Sequence, residues 1–366
     1  MHEKIRNYAV VGTVGLLTAV LSLCSWLGKD AAFSESERRT LAQKPELSAE
    51  SVFSGSFMTD FEVYTADQFP QRETFRTMHS LLRLGVFRQS DTDGLYMQDG
   101  YLTQMQYPLA EAMLDHAGEK FRWLYEEYLT DSQVYFSIVP DKHYFLSQES
   151  GRLSLDYGAL VEGMRERTEY MQYIDIFPYL DITDYYRTDT HWRQECIQDA
   201  AGAIAEAMGT ELAAEYELRE TGHPFRGVYY GQLALPVEPD GMYYLSNEML
   251  DGCIVTSYNT GLPVQKPMYD MEKAAGRDPY ELFLCGADAL VTIENPEAAS
   301  DRELIVFRDS FGSSLVPLLA EGYSKITVID IRYVQPAMLV NLVEFKGQDV
   351  LFLYSTLILN NSLALK

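Results

Sequence analysis

ELIVFRDSFGSSLVPLLAEGYSKITVIDI, residues 303–331, decides the fold. Its two ends, ELIVF and KITVIDI, are unbroken apolar runs rich in β-branched residues, the pattern of strands buried on both faces. Between them Phe311 to Ala320 reads as a short helix. Strand, helix and strand in succession predict a parallel sheet covered by helices. The same reading extends outward. ALVTIEN (289–295), DVLFLYS (349–355), VYFSIVP (134–140) and YMQYIDI (170–176) are further strand candidates, and 109–129, 156–170, 192–209 and 335–343 carry helical patterns. DTDGLYMQDGYL (91–102) reads as a hairpin with glycine turns at Gly94 and Gly100. The fold class is therefore α/β, a doubly wound and mostly parallel sheet flanked by helices.

Reactive groups in such sheets gather where strand C-termini meet helix N-termini. Ser310 sits at one such point, just after ELIVFRD, where nearby helix amides can stabilise an oxyanion. Serine is also a favoured helix N-cap, so the position alone does not make a nucleophile. TDTHW (188–192) adds a second piece, Asp189 and His191 two residues apart before a helix. Of the six histidines, His191 alone is read here with an acid at this spacing in a loop-to-helix setting. A serine nucleophile needs a base, and the base needs an orienting carboxylate. The competing reading is a surface histidine beside a helix-capping aspartate.

Composition narrows the partners. The 366 residues are 47% hydrophobic and 23% charged, an ordinary globular balance. Lys plus Arg is 29 and Asp plus Glu is 54, a net charge of −25 that repels nucleic acid and anionic lipid. Tyrosine is abundant at 26, which suits a surface meeting sugars or, equally, half-buried packing. Tyr8 to Leu27 is a charge-free apolar run close to the ~20 residues that cross a bilayer. Lys4 and Arg6 precede it, which keeps the short tail in the cytoplasm and sends the rest outward. Beyond Lys29 the balance is 26 − 53 = −27. The expectation is an uncleaved, single-pass anchor in the cell membrane; a cleaved signal peptide is the alternative, though no small-x-small site follows the run.

The domain reading is 1–29 for tail and anchor, 30–90 for a helical juxtamembrane lead, and 91–366 for the α/β domain, with an irregular insertion at about 210–282. Phe61, Tyr64, Phe69, Phe75, Met78, Leu81 and Leu82 give 61–90 its helical spacing, interrupted at Pro70. Cys24 lies in the apolar run, leaving Cys196, Cys253 and Cys285 with no C-x-x-C pair and an open choice between a Cys253–Cys285 bridge and free thiols. His191 has no metal-ligand partner at usual spacing, and there is no P-loop, G-x-G-x-x-G or G-x-S-x-G motif. No cofactor and no metal is expected.

ERRTLAQKPEL (37–47), YTADQFPQRETF (64–75), FSIVPDKHYF (136–145), TDTHW, FRDSFGSSLVPLLAEGYSKITVIDIRY (307–333) and DVLFLYS form an ordered series. In these segments the chain resembles the DHHW-motif family of Gram-positive bacteria. It is more distantly similar to the SGNH-like domains of the alginate O-acetylation proteins (the AlgX and AlgJ type). The resemblance implies an SGNH-like fold with Asp189, His191 and Ser310 as triad acid, base and nucleophile, in the permuted order of the O-acetylation branch. The family's Asp-His-His-Trp tetrad reads Asp189-Thr190-His191-Trp192 here, so its first histidine is lost, along with any role that residue had.

The resemblance further implies an extracytoplasmic acyltransferase. A membrane-bound O-acyltransferase would supply the acyl group, Ser310 would carry it, and a polysaccharide hydroxyl of the cell envelope would receive it. A serine esterase with the same triad and a non-catalytic scaffold are the alternatives. Lys142 in the PDK turn and Arg308 before Asp309 are candidate supports for substrate or oxyanion, against an ordinary ion-pair role. Gly227 in FRGVYYG is a candidate for close approach of a loop to the site.

Overall fold

Side chains along a strand point alternately to its two faces, and residues 304–307 divide accordingly between two cores. Leu304 and Val306 join one core, Ile305 and Phe307 the other. The structure, a computed structural model, describes residues 2–366 and falls into two units. The larger holds Asp93–Tyr229 and Glu238–Lys366. Its eight-stranded sheet consists of β1 (Val134–Val139), β2 (Gln172–Ile174), β3 (Ile254–Ser257), β4 (Val264–Lys266), β5 (Leu290–Glu294), β6 (Glu303–Arg308), β7 (Lys325–Ile329) and β8 (Asp349–Ser355). The spatial order is β4-β3-β5-β7-β6-β8-β1-β2.

From β7 to β2 every pairing is parallel, as the alternating pattern predicts. Beyond β7 it is not: β5, β3 and β4 pair antiparallel. A strand buried on both faces reads apolar in either direction, so ALVTIEN did not reveal its sense. The connection does. Residues 295–302 are too few for the crossover, about a dozen residues or more, that a parallel return requires. The segment 210–282, read as an irregular insertion, supplies β3 and β4 to the main sheet.

Helices cover both faces. Leu114, Phe121 and Leu124 of helix Glu111–Leu124, with Leu160 and Met164 of helix Tyr157–Arg167, pack against Phe307, Phe352 and Tyr354. Ala200, Ala201 and Ile204 of helix Gln198–Ala207 pack against the other face with Leu315, Leu318 and Leu319. The expected helix at 311–320 is α-helical only over Gly312–Leu315 and continues as a 3-10 helix over Val316–Gly322. Pro317 explains this, since its ring removes an amide donor and crowds the preceding turn. The expected 335–343 helix is a 3-10 segment, Pro336–Asn341, opened by Pro336. The 91–102 hairpin forms with Leu95–Gln98 paired to Tyr101–Gln104.

The smaller unit holds the described residues up to Thr92 together with Tyr230–Val237. Helix His2–Leu27 contains a 24-residue span, Lys4–Leu27, of mean hydropathy 2.0, long and apolar enough to cross a membrane. Helices Ala49–Ser54, Ser56–Asp67 and Arg72–Ser80 follow, the last two separated around Pro70. A buried carboxylate organises this unit. Asp67 accepts from Arg39 and from the amide of Ala42, and the Arg39 bond holds its carboxyl down at about 2. Arg76 donates to the carbonyls of Gly231 and Gln232, and a Cβ on Gly231 would lie 1.5 Å from the Ser36 carbonyl oxygen. That close approach is why residues 230–237 pack here only with glycine at 231.

Candidate active site

β6 lies between β7 and β8, so the chain steps to one side after β6 and then crosses to the other. Ligands gather at the C-terminal edge of such a switch point. Ser310 stands there, two residues past the end of β6. It caps no helix: the residue before Gly312–Leu315 is Phe311, and the Ser310 Oγ pairs instead with His191 Nε2 at 2.8 Å. His191 Nδ1 lies 2.6 Å from Asp189 Oδ1, and that oxygen also accepts the His191 amide at 3.1 Å. With Asp189 ionised its carboxylate can only accept, so Nδ1 would carry the proton and Nε2 could receive that of the serine. Asp189 is buried, whereas Ser310 is half-buried.

Three anchors hold the pair. The second oxygen of Asp189 accepts from the Val228 amide at 2.8 Å. Asp240, unmarked in the sequence reading, accepts from the amides of Arg187 and Thr188 and from the Thr188 hydroxyl. On the nucleophile's side Asp309 is fully buried and accepts from the Phe311 amide and from the amide and hydroxyl of Ser355 at the end of β8. Thr190 accepts a 3.2 Å bond from the Tyr229 hydroxyl. The expected helix amides are mostly committed: Gly312 donates to the Asp309 carbonyl and Ser313 to that of Ser310. Among the described residues the Ser310 amide makes no backbone hydrogen bond, which leaves it able to donate to an oxyanion.

The three candidate supports fare differently. The Arg308 guanidinium makes no hydrogen bond to Ser310 among the described residues. It is fully buried, paired with Asp330 at 3.2 Å and donating to the Gly286 carbonyl at 2.9 Å. Burial pulls its basicity down. A strand-end charge reads as a site residue in sequence, but here it closes a buried ion pair. Lys142 is likewise buried and aims its amine at backbone, donating to the Tyr186 carbonyl at 2.9 Å and the Arg187 carbonyl at 3.3 Å. It underpins the loop carrying Asp189 rather than a substrate. Gly227 meets the expectation of close approach: a Cβ there would lie 2.3 Å from Asp189 Cβ and 2.4 Å from the Thr188 carbonyl oxygen.

Asp141 and His143 share the D-x-H spacing, which the reading of His191 as the lone such pair overlooks. Both are buried; Asp141 binds Tyr157 and Thr356, and His143 binds Tyr96 and the Leu153 carbonyl. They belong to the core. All four cysteines are free, and Cys253 packs on Met249 rather than bridging to Cys285. Among the described residues no cluster of metal-ligating side chains occurs.

Two outcomes follow for these supports. Burial pushes the Lys142 amine down to about 7, against the pull of Asp189. The unfolded chain keeps that proton up to about pH 10, so between about 7 and 10 it binds more protons than the folded chain, and stability rises with pH there. Urea unfolding across this window is expected to show the rise in the wild type and its loss in Lys142→Met. Gly227→Ala is expected to push the Asp189 loop aside. It should cost about 1–3 kcal/mol of stability and lower any turnover roughly 100-fold, the usual effect of a 1 Å misplacement. Thermal melts and ester assays check both parts.

The fold and site together define a doubly wound α/β protein with a Ser-His-Asp constellation at its switch point. The family described as DHHW protein matches residues 173–329, which bears out the resemblance drawn from the sequence. Among solved structures, a DHHW family protein from Eubacterium siraeum DSM 15702 is similar at 19% identity and a TM-score of 0.60, over 74% of this chain and 93% of that one. PatB1 of Bacillus cereus is similar at 18% identity and a TM-score of 0.58, over 73% of this chain and 97% of that one. A second structure of PatB1, carrying a sulfonyl adduct, gives 18% identity and a TM-score of 0.57, over 72% and 95%. At these identities the likeness is one of fold. No curated protein matches the chain.

Proposed function

We propose that the protein is a membrane-anchored, extracytoplasmic O-acyltransferase that moves an acyl group, most simply acetyl, onto a hydroxyl of a cell-envelope polysaccharide. The observation that carries this is the line from Asp189 through His191 to Ser310, closed at 2.6 and 2.8 Å. In the first half-reaction Ser310 Oγ attacks the acyl carbonyl carbon while its proton passes to His191 Nε2. The tetrahedral oxyanion faces the Ser310 amide, and His191 returns the proton to the departing donor group. In the second, a sugar hydroxyl attacks the acyl-serine, its proton passes to Nε2, and the proton then returns to Ser310 Oγ. Asp189 stays ionised and keeps the imidazole in the required tautomer.

The sulfonyl adduct carried by PatB1 supports the reading, because sulfonyl groups are taken up by nucleophiles. The apolar span Lys4–Leu27 supports the anchor, with a membrane-bound O-acyltransferase as the acyl supplier. The test is p-nitrophenyl acetate with the full chain in nanodiscs, with and without xylo- and chito-oligosaccharides. A transferase acylates Ser310 in the intact-mass spectrum and yields acetylated sugar, with nitrophenol release accelerated by the acceptor. Release insensitive to every sugar points to an esterase, and no acyl-serine at all overturns the reading.

A further inference from the structure

We propose that Tyr280 is a positioning residue for the His191 base, its ring forming a flat seat that keeps the imidazole in line with Ser310 and stabilises it when charged. The proposal rests on the acyl-transfer reading only for its catalytic consequence; the seat itself is a matter of geometry. The two rings lie parallel, 3.8 Å apart with 6° between their planes. Asp189 and Ser310 hold the two nitrogens at the imidazole's edge, so the face is the part left to fix. Phe311 meets the imidazole tilted, 5.0 Å away at 56°, and leaves Tyr280 as the stacked partner.

Tyr280 is itself held. It is buried, and its hydroxyl pairs with Ser314 Oγ at 2.8 Å. The same Ser314 oxygen receives the indole N–H of Trp192, the residue after His191, at 2.9 Å. The seat and the loop bearing the base are thus pinned to one hydroxyl. Pro279 opens the 3-10 turn that delivers Tyr280, and Asp278 caps it. An aromatic face carries negative charge density and attracts a cation stacked on it. When Nε2 takes the serine proton, the imidazolium forms against that face. Charged groups around the pair include Asp189, hydrogen-bonded to the imidazole; Asp309 and Arg308, which act on Tyr280; and Lys142, which interacts with Asp189. All four are retained in the variants below, so a difference among those variants reports the ring.

The experiment follows the His191 ring resonance in histidine-labelled full chain in nanodiscs against pH, assigned by its loss in His191→Gln. Tyr280→Phe keeps the ring, and Tyr280→Leu keeps an apolar filler without a π face. The resonance is expected to titrate at the wild-type pH in Tyr280→Phe and about half a pH unit lower in Tyr280→Leu. The acid limb of the kcat/KM profile should move the same way, with kcat falling more than KM changes. Tyr280→Met replaces the leucine variant if that one does not fold. Coincident titrations in the wild type and a folded Leu or Met variant overturn the proposal, as does an equal shift in the Phe and Leu variants. Because the resonance is read without turnover, a protein that shows the shift but acylates no serine keeps the seat and loses the acyltransferase reading instead.

Discussion

Ser310→Ala is expected to lower acetyl-ester turnover on the order of 10⁶-fold while leaving the melting temperature nearly unchanged. Triad members act as a unit, so the loss of one costs about as much as the loss of all. His191→Ala should therefore reach a similar floor, and the double variant should fall no further. Asp189→Asn should lose roughly 10⁴-fold by allowing the wrong tautomer. Stability should hold for Ser310→Ala because, among the described residues, the Oγ bonds only His191, and Ser310 is half-buried. Stopped-flow nitrophenol release with an intact-mass check for acyl-enzyme measures the series. Additive losses from Ser310 and His191 would mean that the two do not act on one proton, and the 2.8 Å contact would then be structural.

Asp330→Ala is expected to be among the most destabilising single changes in the larger unit, about 3–5 kcal/mol. Asp330 is fully buried and pairs with Arg308 at 3.2 Å and Arg332 at 2.6 Å. Removing it leaves the Arg308 guanidinium buried with only the carbonyls of Gly286 and Asp309 as partners. Arg308→Met does the reverse and should cost less, about 1–3 kcal/mol for the carbonyls left short of a donor, because Asp330 keeps Arg332. Chemical denaturation of the two variants side by side tests this ordering. The reverse ordering would place the main debt on the carboxylate. The adjoining backbone is itself unusual: Leu284, Cys285 and Gly286 all have positive φ, and Arg308 grips the last of the three through its carbonyl.

The sheet was legible because strands buried on both faces leave continuous apolar runs, and all six runs singled out in the sequence contain sheet strands. Their direction was not: ALVTIEN looks the same whether it runs with its neighbours or against them. Asp189, His191 and Ser310 were legible because a loop-to-helix D-x-H and a strand-end serine are local patterns. Their meeting was not legible in those local patterns, since 119 residues separate His191 from Ser310, and only the family resemblance implied it. In sequence Arg308 and Lys142 stay open between substrate support and a structural role, because a charge there says nothing of what surrounds it; Arg308 pairs with buried Asp330 and Lys142 donates to backbone carbonyls. Tyr280 and Asp240 went unread because they lie in the stretch without periodicity, where only the tertiary fold says which side chain meets the site.

The centre of the sheet is closed by the last of the eight strands to be synthesised. β8 slots between β6 and β1, and Ser355 at its end supplies two of the three donors that fix Asp309 beside the nucleophile. The base and its carboxylate are thus made long before the residue they serve, and that residue is set only when β8 arrives. A chain still emerging from the ribosome has Ser310 but not yet the Ser355 donors that fix its neighbour Asp309. On the acyl-transfer reading, reactivity would come as the final event of assembly, which would spare the unfinished protein from acylating itself or its surroundings.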